Sequence, residues 1–144
     1  MALRLRKGRT YSRATLDAKL CEVLPAAPLD RVLDLGSKDA PYRRLLAARR
    51  YDRLDLSRSR RPAVVGDAHR LPFRGGTYDL VLATQVLEHC PNPAAVVAEV
   101  HRVLRSGGLF VCSVPFIYVI HGDPDDFWRF TAEGLRHLLQ DFTQ

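Results

Sequence analysis

The sequence contains few of the residues that build membrane-spanning, secreted or metal-stapled proteins. Of its 144 residues only three are cysteine, Cys21, Cys90 and Cys112, and no two have a CxxC spacing. An odd number of isolated cysteines argues against a disulfide framework and a zinc site, and it favours a reducing cytoplasm. No stretch reaches the roughly 18 apolar residues of a membrane-spanning helix. The basic start MALRLRKGRTYSR lacks the apolar core of a signal peptide.

Lysine is also scarce, since three of the 22 cationic residues are lysine and the rest are arginine. The net charge of +6 is divided unevenly: residues 1–74 carry 18 Lys and Arg against 8 Asp and Glu, and residues 75–144 carry 4 against 8. A basic half is one feature of proteins that bind polyanions. These cations do not alternate with aromatic residues on one helix face, so we favour solvated surface arginines over a nucleic-acid partner.

The remaining composition is that of a folded domain. Apolar residues make up 47% of the chain and charged residues 26%. One domain usually has about 100–200 residues, so residues 1–144 are expected to form a single one. The predicted elements are a helix from Ser12 to Leu24, strands at Arg31–Leu35, Tyr51–Leu56, Ala63–Gly66, Tyr78–Ala83 and Leu109–Val114, a helix from Pro41 with Leu45, Leu46 and Ala48 inward, a helix from Pro93 to before Ser106, and a helix from Thr131 to about Gln140.

The alternation of strands and helices predicts an α/β fold with right-handed crossovers. We expect a Rossmann-like, doubly wound, mostly parallel sheet of about five strands within a three-layer sandwich. In such sheets ligands bind beyond the carboxyl ends of the strands. The polar residues and glycines found there, in strand order, are Asp34 and Gly36; Asp55; Asp67; Thr84, Gln85, Glu88 and His89; and His121.

Three acids at three strand ends suggest an adenosine site. Asp55 lies 21 residues after Asp34, which is the usual distance to an acid that accepts hydrogen bonds from both ribose hydroxyls. Asp67 ends the third strand, where its carboxylate would accept from the adenine amine. Any one of these acids alone would be interpreted as a surface or capping residue.

Five segments, in order, carry a resemblance to a known family. They are VLDLGSKDAPY, LDLS, GDAHRLPF, YDLVLATQVLEHCPNP and EVHRVLRSGGLFVCSVPF. In order and spacing they resemble class I S-adenosylmethionine-dependent methyltransferases, in particular the ubiquinone- and menaquinone-biosynthesis-like group with a type 11 methyltransferase domain. The tail PFIYVIHGDPDDFWRFTAEGLRHLL resembles a subset often found with glycan and cell-envelope pathways. Together these segments span about residues 31 to 140.

The resemblance implies S-adenosylmethionine as cofactor and a small-molecule, glycan or lipid-linked methyl acceptor. It divides the chain into an N-terminal helical segment (1–30), a cofactor-binding core (31–114) and a lid segment with the last helix (115–144). Gly36 would let the first loop approach the methionine part of the cofactor. The resemblance also assigns Ser37 to this loop, and Asp34 would orient it. Asp55 and Leu56 would hold the ribose, and Asp67 and Ala68 would meet the adenine. Thr84 and Gln85 would lie near the methionine amine and the sulfonium.

A dinucleotide is the main alternative cofactor, but its G-x-G-x-x-G loop needs glycines that make room for a pyrophosphate. Of these only Gly36 is present. S-adenosylmethionine has no pyrophosphate, so the missing glycines count less against it. Lys38 stands where the family usually has a second glycine. We expect its side chain to point to solvent and to weaken cofactor binding without abolishing it.

Methyl transfer from a sulfonium is an in-line displacement in which positioning supplies most of the rate. A hydroxyl acceptor also needs a base, and histidine, with an ordinary pKa of ~6.5, suits that role. His121 is the first candidate and His89 the second; a loop hydrogen bond and a helix cap are the alternatives. The acceptor is expected to contact Asp126, Trp128 and Arg129, although lid packing is an equal alternative for the aromatic ring. No metal site is predicted.

The second hypothesis is a protein without catalytic activity. Seven strands are usual in this fold, and the sequence printed here stops at Gln144, after the helix that precedes the sixth. Strand Leu109–Val114 would then be an exposed sheet edge, which invites pairing. A fragment, a cofactor-binding scaffold or a homo-oligomer joined through residues 109–114 are the corresponding alternatives.

Overall fold

The structure, a computed structural model, describes residues 11–58, 61–122 and 125–142. The helices are α1 (Tyr11–Val23), α2 (Pro93–Val103) and α3 (Ala132–Leu138), and the strands are β1 (Leu29–Leu35), β2 (Ala48–Asp55), β3 (Val64–Val65), β4 (Tyr78–Thr84) and β5 (Leu104–Ser113). The described residues also contain the 3₁₀ turns Arg43–Leu45 and Leu87–His89. Within these ranges, no helix is both long and apolar enough to cross a bilayer.

The five strands form one parallel sheet in the order β3-β2-β1-β4-β5. Every neighbouring pair is parallel, and Leu33 of β1, for example, lies opposite Asp52 of β2 on one side and Val81 of β4 on the other. The chain therefore reverses its direction of winding between β1 and β4. This confirms the predicted Rossmann-like sheet, and it puts the switch point, where ligands bind in such sheets, beyond Leu35 and Thr84.

Both faces of the sheet are covered, because alternate residues of each central strand point to opposite sides. On one face Leu33, Leu35 and Val81 pack with the inward side of α2, including Val96 and Val100. On the other face the central strands contact α1 and the chain after Pro41; this second core consists of Leu20, Leu24, Val32, Tyr42, Leu46, Leu80 and Leu82. The arrangement is the predicted three-layer sandwich.

The sequence-based boundaries were wrong in three places. The helix expected from Pro41 is only the 3₁₀ turn Arg43–Leu45, and Ala48 already begins β2. Helix α2 passes directly into β5 at Leu104, five residues before the predicted strand, and the register against β4 is irregular between Tyr78 and Leu80. Val23, which the helical spacing of Leu16, Leu20 and Leu24 predicts on the inward face of α1, is 54% exposed at the last residue of that helix.

Candidate functional site

A cleft of about 830 Å³ lies at the carboxyl ends of β1, β4 and β5. Helix α1 and the segment after β5 form its other walls. The lining residues are Arg13, Thr15 and Leu16 of α1; Asp34, Gly36, Ser37, Lys38 and Pro41; Thr84, Gln85 and His89; and Ser113, Val114, Pro115, Ile117, Tyr118 and His121. The volume is within the usual range of ~300–1,000 Å³ for small-molecule sites.

The loop after β1 depends on glycine at its first position. Gly36 has a left-handed backbone with φ +59°, and a Cβ added there would lie 2.7 Å from the Val86 side chain. A larger residue would therefore push the loop away from the end of β4. Lys38 and Gln85 also have positive φ, +44° and +56°, although they carry side chains. Strained backbone of this kind is most often found at functional sites.

Asp34 forms the buried floor of the cleft. Its side chain accepts a hydrogen bond of 2.6 Å from the Tyr51 hydroxyl, and the residue is 1% exposed. Burial raises the pKa of Asp34 to about 7, against the opposing effects of the Tyr51 hydroxyl and the nearby Arg53 guanidinium. The cleft thus contains a carboxyl group that titrates near neutral pH, directly below the loop of Gly36.

The other two acids lie along the same edge of the sheet but outside the lining of the cleft. Asp55 ends β2, and its carboxylate accepts from the backbone amides of Lys38 (3.3 Å) and Ser57 (3.0 Å). Asp67 follows β3 and accepts from the amide and ring of His69, which hold the pKa of this carboxyl below its usual value. Asp55 is therefore tied to the glycine loop, whereas Asp67 is engaged in a local turn.

The turn after β4 holds a buried acid next to an imidazole. Glu88 is fully buried, and neither of its carboxylate oxygens has a hydrogen-bond partner among the described residues. Burial raises the pKa of Glu88, and Nε2 of His89 lies 3.8 Å from Oε1. The other ring nitrogen of His89, Nδ1, contacts the backbone oxygen of Asp125.

The segment after β5 returns to this turn and is fastened there. The backbone amide of Phe127 donates to the carbonyl of Glu88 (2.8 Å). Asp126, with a side chain 2% exposed, accepts from both terminal nitrogens of Arg129 (2.5 and 2.7 Å) and from the amide of His121 (2.8 Å). The Arg129 guanidinium holds the pKa of Asp126 well below its usual range. As a result, the rings of His121 and His89 meet edge to face, 5.0 Å apart.

The chain matches a family model described as "Methyltransferase domain" over residues 33–112, more than half of its length. That range contains the glycine loop, the ends of β1, β2 and β4, and the Glu88–His89 turn. The chain belongs to this family. The match ends inside β5, so the segment of Tyr118 and His121 lies beyond it.

Curated relatives of this methyltransferase domain are longer than the chain. A demethylmenaquinone methyltransferase of Mycolicibacterium gilvum is 36% identical over 121 residues, covering 76% of the chain and 51% of the relative. An uncharacterized 37.1 kDa protein in transposon TN4556 of Streptomyces fradiae is 33% identical over 126 residues, covering 75% and 35%. The chain thus spans between a third and a half of these relatives.

Solved structures share the fold at low identity. The PH0226 protein of Pyrococcus horikoshii has a TM-score of 0.68 at 22% identity, over 90% of this chain and 79% of that one. The [4+2]-cyclase SpnF has a TM-score of 0.73 at 20% identity, over 94% and 60%. These likenesses confirm the Rossmann-like fold of the methyltransferase domain and carry no information about its substrate.

The cleft brings together part of the predicted site. Seven predicted residues line it, namely Asp34, Gly36, Ser37, Thr84, Gln85, His89 and His121, and seven do not, namely Asp55, Leu56, Asp67, Ala68, Asp126, Trp128 and Arg129. Leu56 is 62% exposed, and Trp128 donates from its ring nitrogen to the carbonyl of Cys90 (2.9 Å). Arg129 pairs with Asp126, so these two residues, both expected to contact the acceptor, contact each other outside the cleft.

Sequence reasoning missed several residues of the methyltransferase domain's cleft. Arg13 and Thr15 line it from α1, and Tyr118 lines it from the segment after β5. The sequence places Glu88 after the fourth strand but predicts no role for it. The adjacent carboxylate and imidazole of the LEH motif were the available signal of a functional pair. Its complete burial depends on the segment that returns after β5, which no local pattern indicates.

Proposed function

We propose that this methyltransferase domain binds S-adenosylmethionine at the switch point and transfers its methyl group to an acceptor held in the same cleft. The observation that carries the proposal is the buried carboxyl of Asp34 below the left-handed loop of Gly36, facing Gln85 across the ends of β1 and β4. This surface offers a backbone that a ligand can approach closely and one acidic group beneath it.

The residues present fit the cofactor in two respects. Glycine at position 36 lets the left-handed loop pack against Val86, and the loop then lines the cleft, so the methionine part can lie against it near Ser37, Thr84 and Gln85. The strand ends then continue in the order β1, β2 and β3, toward the acids expected at the nucleoside. In this orientation Asp55 and Leu56 hold the ribose, and Asp67 and Ala68 border the adenine. When bound, the cofactor supplies an electrophilic methyl group.

The acceptor belongs at the opposite end of the cleft, where His89 and His121 meet. Ile117 and Tyr118 present apolar surface there, and Ile117 is 90% exposed. An acceptor with an apolar part, such as a lipid-linked or ring-containing molecule, would cover this surface. His121, whose Nδ1 lies 3.2 Å from the carbonyl oxygen of Val119, presents Nε2 as the group that withdraws the acceptor's proton, with His89 beside it. Asp126 accepts from the amide of His121 and pairs with Arg129, and these contacts position His121.

The names of the relatives are consistent with acceptors of different chemistry. One relative is a demethylmenaquinone methyltransferase, and another, from Herminiimonas arsenicoxydans, is a malonyl-[acyl-carrier protein] O-methyltransferase. A small-molecule, glycan or lipid-linked acceptor therefore remains the class to screen.

Calorimetric titration with S-adenosylhomocysteine tests cofactor binding. We expect saturable binding, and we expect Asp55→Ala to weaken it about 10- to 100-fold, because a carboxylate that accepts two hydroxyl hydrogen bonds is lost. Asp30→Ala is the matched control, since the Asp30 carboxylate pairs with Arg49 at the amino end of β1, away from the cleft. A folded protein that gives no heat with this ligand would contradict the proposal.

Transfer is tested with labelled S-adenosylmethionine and a panel of acceptors. His121→Ala is expected to lose turnover and to keep its affinity for S-adenosylhomocysteine, because His121 lies at the acceptor end. Binding of the cofactor without turnover on any acceptor would favour the second hypothesis, a cofactor-binding protein without catalytic activity.

A further inference from the structure

The cluster formed by Glu88, His89 and His121 has a property that methyl transfer by a histidine base does not require. One donor atom from each of the three residues lies within 4.8 Å of the other two. Two of these donors are imidazole nitrogens and the third is a carboxylate oxygen. We propose that this cluster, named here the EHH site, binds a first-row divalent metal ion such as Zn²⁺ or Mn²⁺.

The first argument is the state of Glu88. Its carboxylate is fully buried, and both oxygens are without a hydrogen-bond partner among the described residues. A buried carboxyl group is either neutralised by a proton or, when ionised, paired or bound to a metal, because the loss of its hydration is costly. The nearest candidate partner, Nε2 of His89, is 3.8 Å from Oε1, which is too far for a hydrogen bond and close enough for a shared ligand.

The second argument is the orientation of the two imidazoles. His89 directs Nδ1 to the backbone oxygen of Asp125, and His121 directs Nδ1 to the backbone oxygen of Val119 (3.2 Å), with Oδ2 of Asp126 at 3.4 Å. Metal-binding histidines are typically held in this way, since a carbonyl or carboxylate on one ring nitrogen fixes the tautomer and leaves a lone pair on the other. Asp126 is itself fixed by both terminal nitrogens of Arg129.

The third argument is the kind of ligand set. Two imidazoles and one carboxylate suit zinc, manganese or iron(II), and they leave coordination positions open. Magnesium and calcium prefer oxygen ligands and are expected to bind this site weakly. First-row metals bind such ligands at about 2.0–2.2 Å, so small side-chain rotations are enough to close the three donors around an ion. Because His89 and His121 line the cleft, an ion held by them would lie beside the expected acceptor.

This inference revises the prediction that the protein has no metal site. That prediction came from the spacing of the cysteines, which the EHH site does not use. The same Nε2 lone pair of His121 serves either as a base or as a metal ligand, so the two roles exclude each other at that atom. Metal binding does not rest on the proposed function, although any part played by the ion in methyl transfer does.

Equilibrium dialysis of the full, untagged and chelator-treated chain against ZnCl₂, MnCl₂ and MgCl₂ tests the site, with Cys21→Ser as background to remove the exposed thiol. We expect one equivalent of zinc or manganese per chain and weak binding of magnesium. Glu88→Gln and His121→Ala are expected to lose at least about 10-fold in affinity. His101→Ala is the control, because the His101 ring packs against Phe142 away from the site.

Hydrogen exchange gives a second readout that needs no activity. Bound zinc should slow exchange at residues 115–122, because the ion joins the turn after β4 to that segment, and Glu88→Gln should abolish the effect. Binding of zinc by Glu88→Gln and by His121→Ala with the affinity of the parent protein would overturn the proposal. So would the absence of stoichiometric zinc and manganese binding in a folded parent protein. The titration with S-adenosylhomocysteine is a separate measurement, so failure of the metal site and failure of the proposed cofactor site are distinguishable.

Discussion

Backbone strain is concentrated in the loops that meet above the buried Asp34. Lys38 and Ala40 have positive φ in the loop after β1, and Gln85 has positive φ at the end of β4. Residues with a Cβ adopt this region at a cost of roughly 1–3 kcal/mol each. The backbone amide of Gln85 donates to the carbonyl of Ser113 (2.8 Å), which holds Gln85 in this conformation. The surrounding fold therefore imposes the shape of the cleft on residues that do not prefer it.

Lys38→Gly is expected to tighten the binding of S-adenosylhomocysteine, measured by calorimetry. The backbone φ of +44° suits glycine, and the substitution removes an exposed side chain from the lining of the cleft while keeping the amide that donates to Asp55. Arg61→Gly is the matched control, because Arg61 has nearly the same φ, +46°, and does not line the cleft. An unchanged affinity in Lys38→Gly would refute the idea that this side chain crowds the cofactor.

Asp34 makes the stability of the fold depend on pH. Burial raises its pKa to about 7, whereas an unfolded aspartate titrates near 3.9. Between these values the folded state binds the extra proton, so the contribution of Asp34 to the free energy of unfolding falls as the pH rises from about 4 to 7. The loss is of the order of a few kcal/mol.

Asp34→Asn should therefore show a smaller decrease in the free energy of unfolding between pH 4 and 8 than the parent protein, measured by urea denaturation. Tyr51→Phe is the companion variant. The Tyr51 hydroxyl donates to Asp34 and lowers the pKa of this carboxyl, so its removal should raise that pKa. The free energy of unfolding of Tyr51→Phe should therefore continue to decrease up to a higher pH. Parallel curves for Asp34→Asn and the parent protein would show that Asp34 does not titrate in this window.

At the scale of elements, the segment after β5 is held by single hydrogen bonds and an ion pair rather than by regular structure. Asp126 joins Arg129 to the backbone of His121, and the Glu88 carbonyl accepts from Phe127. Asp126→Asn removes the charge that orients Arg129. We expect faster hydrogen exchange at residues 115–122, with unchanged exchange in β1 and β4. Glu133→Gln is the control, since it breaks an exposed Arg136 pair on α3; equal exchange in both variants would contradict the fastening role of Asp126.

The order of strands and helices could be predicted because each element has its own local signal. Asn92 accepts from the amide of Ala95 and Thr131 accepts from the amide of Gly134, as expected for helix caps. The stretch after Pro41 had a helical pattern, but Tyr42 and Leu46 are buried against α1 and the central strands, and the chain must enter β2 at Ala48. There tertiary packing overrides the local pattern.

The candidate site was predictable where one strand end supplies one residue. Asp34 and Gly36 follow β1 directly, so the parallel sheet determines where they lie. The carboxylate of Glu88 and the imidazole of His121 are 33 residues apart in the sequence, and they meet only because the segment after β5 folds back. No periodicity encodes that return, which explains why the EHH site was not predicted.

The sheet as a whole ends in an edge strand, β5. Among the described residues β5 pairs with β4 only, and its Leu109 is 41% exposed. The chain that follows continues this apolar surface, with Phe116, Val119 and Ile120 between 61% and 89% exposed. Exposed strand edges with apolar side chains pair readily with a second strand. The homo-oligomer predicted through residues 109–114 would be a symmetric dimer in which two β5 strands pair.

Leu109→Lys is expected to reduce self-association, measured by sedimentation velocity over a range of protein concentrations. The parent protein should form dimers as the concentration rises, and a lysine on the edge should oppose them, because a charge is costly to bury between paired strands. Val23→Lys is the matched control, since it adds the same charge at a 54% exposed position of α1, away from β5. A parent protein that stays monomeric at every concentration would exclude pairing through this edge. Equal dimerisation of Leu109→Lys and Val23→Lys would indicate that the dimer contact lies in the apolar residues after β5 and not at Leu109.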